Sequence, residues 1–163
     1  MCAAVLALGA GGIGLAQAQA SGGYKVNGGG QVLLGGSENG GGPGDTVAFT
    51  AHQFEDSGED AGPARGQFQY VERSGDNGNV HGSVTCLRVD GDRAIIEGVV
   101  TRGEQSTFRI DLFDAGRGAQ GDDIVTVTFH EEDSECEDDI AEDDDFRLAR
   151  GNVTIHEPAG SQE

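Results

Sequence analysis

Apolar and polar positions alternate with a period of two through most of this chain, the pattern of strands that bury one face. The alternation is clear from Thr46 onward, where Val47, Phe49 and Ala51 are separated by polar or small residues. It returns at 67–70 around Phe68 and Tyr70, and then at 80–89 and 94–101. Phe108, Ile110 and Leu112 share one face of a further stretch, Val125, Val127 and Phe129 share one face of the next, and 153–155 ends the series. A short apolar run at 31–34 adds a strand ahead of them. Asp90-Gly91 lies between two apolar runs, where both residues tolerate the positive φ of a type I′ hairpin turn. Turn residues recur at roughly 8–12-residue intervals, and no helical period is present beyond residue 20. The expectation is one all-β domain, an antiparallel β-sandwich or flattened barrel of about eight strands in meander order.

The first twenty residues break this pattern. They carry no charged side chain, and their apolar run is shorter than the roughly 20 residues a membrane-spanning helix needs. Ala18-Gln19-Ala20 ends the run with the small-residue spacing of a signal-peptidase site. Residues 1–20 therefore read as a secretion signal, and no Lys or Arg precedes the apolar run, so the true start can lie upstream. Residues 21–45 are glycine-rich and read as a flexible leader around the short strand at 31–34. Residues 46–156 form the β-domain, and 157–163 a disordered tail.

Charge narrows the partners. The 163 residues carry 29 acidic against 10 basic side chains, a formal net charge of −19. Such a surface repels phosphate backbones and anionic headgroups, so nucleic acid is not an expected partner. Membrane insertion is not expected either, and the chain reads as a monomer with an extracellular partner of unknown kind. Lys25 is the one lysine, and an acidic, lysine-poor surface suits a salt-rich setting in which self-repulsion is screened.

Two cysteines, Cys86 and Cys136, remain after residue 20, an even pair in a compartment that permits oxidation. A disulfide between them would close a loop of about 50 residues and stabilise the fold by roughly 3–4 kcal/mol in the chain-entropy account. With no Trp and few aromatics the core is modest, which gives such a staple more weight.

Two stretches invite a hard cation. Residues 131–145 hold eleven carboxylates and no basic residue, tolerable only if solvated or neutralised. Asp114 leaves one strand while Asp122 and Asp123 enter the next, so a glycine-rich turn can gather the three around calcium. The bland alternative is that the acidic loop is solvated and the turn aspartates hydrogen-bond the backbone. His52, His81, His130 and His156 show no metal-ligand spacing, and no G-x-S-x-G or phosphate-cradling loop occurs. Asn152-Val-Thr154 is a formal N-glycosylation sequon inside an expected strand.

A wider set of motifs carries a resemblance. Gly28-Gly-Gly-Gln31, Gly66-Gln-Phe-Gln-Tyr70, Val80-His-Gly-Ser-Val-Thr-Cys-Leu87, Ala94-Ile-Ile-Glu-Gly98 and Arg150-Gly-Asn-Val-Thr-Ile-His156 follow in order. Together they resemble the post-COAP type of domain of secreted proteins in actinobacteria and halophilic archaea. The resemblance implies an all-β fold, no catalytic residues to carry over, and a cysteine like Cys86 accompanied by one like Cys136. The expected function is a secreted, non-catalytic structural or adhesive β-module. A calcium-dependent extracellular binding module is the alternative, and a hydrolase the third.

Overall fold

In the computed structural model, residues 23–32, 44–53, 61–73, 78–116, 123–131 and 148–158 are described. They form eight strands and no helix: β1 Lys25–Val32, β2 Asp45–Gln53, β3 Ala61–Val71, β4 Asn79–Asp90, β5 Arg93–Arg102, β6 Thr107–Phe113, β7 Ile124–His130 and β8 Leu148–His156. All pairings are antiparallel within one sheet, ordered β7-β6-β5-β4-β3-β2-β1-β8. The expectation of an all-β, antiparallel meander holds for β1 to β7, while β8 departs from it by pairing with β1. The described strands make a single sheet curled into a half-barrel, without a second sheet facing it.

The curl gives the sheet an inner face. Val47, Phe49 and Ala51 on β2, Phe68 on β3, Val80 on β4, Ile96 on β5, Phe108 and Ile110 on β6 and Val125 on β7 are all buried there. Phe68 and Phe108 stack with centroids 4.3 Å apart, and Phe129 leans on Phe68 at 6.2 Å. Two glycines create the space for Phe108. A Cβ on Gly82 would come within 2.4 Å of Phe108 Cε1, and one on Gly98 within 2.7 Å of Phe108 Cζ. Aromatic bulk on β6 is thus matched by missing side chains on β4 and β5, and the curled sheet packs densely without Trp.

β1 differs from its sequence-based expectation. The ordered strand is Lys25–Val32, earlier and longer than the stretch at 31–34, and Gly28, Gly29 and Gly30 lie inside it. Glycine weakens an isolated strand, but β1 is paired along its length with β2 on one side and β8 on the other. The glycines allow close approach instead. Gly30 faces Gly151, and a Cβ on Gly30 would meet the Arg150 carbonyl oxygen at 2.0 Å. Gly151 has φ +138°, a conformation that side chains other than glycine rarely take.

The β4–β5 hairpin is also shifted by one residue from its expected turn. Asp90 pairs with Arg93, so Gly91 and Asp92 form the two-residue loop. Of the two loop residues, Gly91 has positive φ, at 60°, and Asp92 does not. That is the φ pattern of a II′ turn with glycine first, not of I′.

Candidate functional site

Asp114 and Asp123, two of the three aspartates singled out for calcium, stand where β6 ends and β7 begins. Their carboxylates are occupied by backbone N–H groups. Asp123 Oδ2 accepts from Val153 N–H at 2.8 Å, and its Oδ1 accepts from Ala115 N–H at 3.0 Å. Asp114 Oδ2 accepts from Ile155 N–H at 3.0 Å, and its Oδ1 from Gly116 N–H at 2.8 Å. The Asp123 carbonyl oxygen accepts from Leu148 N–H at 2.9 Å.

Val153 and Ile155 are two apart, so their N–H groups leave β8 on the same side, away from β1. Those are the donors of an open sheet edge, which need partners when buried. The two aspartates supply them, and so join the two ends of the sheet across a seam that no continuous ladder closes. Asp123 serves both Leu148 and Val153, five residues apart. A straight strand would put those residues roughly 16 Å apart, so β8 bends around Asp123. Gly151 and the bulge opposite Gln31 and Val32 supply the bend. Asp122 lies outside the described residues, as does nearly all of 131–145. No group of three metal-ligating side chains occurs among the described residues.

Cys86 sits half-buried on β4, and Cys136 lies outside the described residues, as do 1–20 and 159–163. Among the described residues three further carboxylates are buried. Asp45, 1% exposed, accepts from Arg73 N–H at 2.9 Å and from the Tyr70 hydroxyl. Burial, and then that hydrogen bond, hold the Tyr70 phenol well above its ordinary pKa. Glu97 and Asp111 flank Arg109, whose Nη2 donates to Asp111 Oδ1 at 2.9 Å and whose Nη1 lies 3.6 Å from Glu97 Oε1.

The outer face of β8-β1-β2-β3-β4 has a different character. Successive cross-strand rungs can be followed by register. One rung is Thr154, Asn27, Thr50, Gln67 and Ser83, and the next is Asn152, Gly29, Ala48, Gln69 and His81. Beyond the first of these runs a basic rung of His156, Lys25, His52 and Arg65. Beyond the second lie Arg150, Gln31, Thr46, Val71 and Asn79. None of these positions carries Asp or Glu, in a chain with 29 of them.

The two middle rungs line an open depression of about 610 Å³, whose floor includes Gly28, Gly29, Ala48, Phe49 and Phe68. It forms because Gly29 and Ala48 are small while Asn152 and Gln69, on either side of them, are long. Asn152 Nδ2 donates to Thr154 Oγ1 at 2.7 Å and to the Val153 carbonyl oxygen at 2.8 Å, which fixes the sequon's amide along β8. On the basic rung, partial burial and then the charges of Lys25 and Arg65 hold His52 below its ordinary pKa. Among the described residues, His81 is the one histidine that lines the depression, and no carboxylate lines it.

Sequence reading missed this face because its residues occupy the polar half of each alternation, where any soluble strand carries such side chains. The available sign was the type of polar residue: amides, hydroxyls and bases, with every acid placed elsewhere. No family model, curated protein or solved structure matches this chain.

Proposed function

We propose that this chain is a non-catalytic extracellular β-module, structural or adhesive, which engages its partner through the outer face of β8-β1-β2-β3-β4. The observation that carries the reading is the segregation of charge. A chain of net charge −19 keeps four successive rungs of its outer face free of Asp and Glu, and the two middle rungs are hollowed into a depression. A surface serving only solubility would carry acids there too, since hydrated carboxylates are what keep such a protein dispersed. The secretion signal at 1–20, the post-COAP resemblance, a Cys86–Cys136 disulfide and a salt-rich setting belong to the same reading. The calcium-dependent alternative has less support, because Asp114 and Asp123 spend their oxygens on backbone donors. A hydrolase has less still, since among the described residues the depression joins one histidine to no carboxylate.

The test is retention on the surface of the producing cells. The parent domain is compared with a double variant, Thr50→Glu with Gln69→Glu, that places two acids on the exposed face. Both should show the same circular dichroism and melting point, and the double variant should be released into the medium. Equal retention of the two would defeat the reading.

A further inference from the structure

We propose that the depression on the outer face binds an uncharged saccharide, an inference that rests on the adhesive reading above and names its ligand class. The lining chemistry selects such a ligand. Sugar hydroxyls both donate and accept, and they are best matched by groups that can do the same, such as carboxamides, hydroxyls and imidazole. Asn27, Thr50, Gln67, Gln69 and His81 present that set, and none of their side chains is held by a hydrogen bond among the described residues. Thr154 Oγ1 already accepts from Asn152 Nδ2, so its own hydrogen is left to donate outward.

The spacing also suits a chain of sugars. Neighbouring strands in a sheet lie about 4.8 Å apart, so Thr154, Asn27, Thr50 and Gln67 offer polar groups at regular intervals across four strands. The Gly29–Ala48 gap behind them admits a ring that longer side chains would exclude. Charge argues for a neutral ligand over an acidic one. Among the described residues no Lys or Arg lines the depression to meet an anion, so an acidic ligand would find no partner for its charge there. Neutral amides lining the site leave no buried charge to compensate on binding.

The experiment is a titration of the full chain, followed by backbone amide NMR, with neutral gluco-, manno- and xylo-oligosaccharides and with oligogalacturonate as the acidic probe. A neutral oligosaccharide is expected to shift the amides of β1, β2 and β3 around Asn27, Thr50 and Gln69. Its affinity should hold between low and molar salt. Gln69→Ala should weaken it about tenfold while leaving the melting point in place. Ala48→Leu, which fills the gap with no charge, should abolish it. Binding of no neutral probe, shifts confined to other strands, or tighter and steeply salt-dependent binding of oligogalacturonate would each overturn the proposal. The two levels separate cleanly. If the Thr50→Glu, Gln69→Glu variant is released from cells while every saccharide titration is silent, the ligand class fails alone. If that variant is retained, the outer-face reading itself fails.

Discussion

At the seam where β8 meets the β6–β7 turn, aspartates are turned inward onto the backbone. On the four cross-strand rungs traced over the outer face of β8-β1-β2-β3-β4, no position carries an acid. Both regions share β8, and the strand's two edges of environment explain the contrast. Its edge away from β1 presents buried N–H donors at Val153 and Ile155, and an ionised carboxylate is a strong acceptor for such donors. Its outer face presents Asn152, Thr154 and His156 to solvent, where carboxylates would be cheap to place and are nevertheless missing. Acid is therefore used where it completes the fold and is missing from the rungs proposed above to meet a partner. The comparison teaches that overall charge does not report what each surface does.

The largest effects should come from the inner face that both regions depend on. Phe108→Ala removes the ring that fills the space above Gly82 and Gly98 and should cost about 3–5 kcal/mol, read by denaturant unfolding. Gly98→Ala should be destabilising as well, because its Cβ would meet the Ser83 carbonyl oxygen at 2.1 Å and Phe108 at 2.7 Å. A neutral outcome for both would remove the packing account of the curl.

Next in size is the seam. Asp123→Ala leaves the Val153 and Ala115 N–H groups without their acceptor and should cost about 2–3 kcal/mol, with faster amide exchange confined first to Val153 and its neighbours on β8. Tyr70→Phe deletes one bond to the buried Asp45 carboxylate and should cost about 1–2 kcal/mol, again by denaturant unfolding. On the outer face the same measurement should find almost nothing. Thr50→Ala and Gln69→Ala are exposed, make no side-chain hydrogen bond among the described residues, and should move stability by less than about 0.5 kcal/mol. A large loss there would mean that the face is structural rather than open to a partner.

The smallest effect is a pH dependence on the basic rung. Partial burial, then Lys25 and Arg65, lower the folded-state pKa of His52 below its unfolded value near 6.5. As pH falls below about 6.5, the unfolded chain takes up this proton before the folded chain does, so stability declines toward the folded pKa. His52→Gln should remove that part of the acid-side decline and leave stability above it unchanged, as followed by thermal melts across the range.

Much of the fold was legible in the pattern of side chains. Where alternation is strong, as in β6 and β7, the strands contain the faces expected of them, Phe108, Ile110 and Leu112 in one and Val125, Val127 and Phe129 in the other. Where it fails, the reading failed with it. Gly28-Gly29-Gly30 has no side chains with which to show a face, and its order comes from two flanking strands that no local pattern announces. The first half of β8, around Arg150 and Gly151, is hidden for the same reason. The aspartate turn was legible as a cluster, but not its use. Choosing between calcium and backbone donors requires knowing that the far edge of β8 arrives there, across 41 residues from Asp114 to Ile155. The exposed amide face was least legible, because its meaning lies in which acids are missing across five strands at once.

The contrast between the two regions is tested most directly by thermal melting of the parent chain and Asp123→Asn at one fixed ionic strength, each with millimolar calcium and with chelator. The carboxamide keeps the shape of the side chain but turns a donor toward a donor. The account predicts that Asp123→Asn melts several degrees below the parent, by roughly 2–4 °C for each kcal/mol lost, and that calcium changes neither. A parent that loses several degrees on chelation, with Asp123→Asn already at the lower value and unresponsive, would show the seam carboxylates to be metal ligands and contradict it.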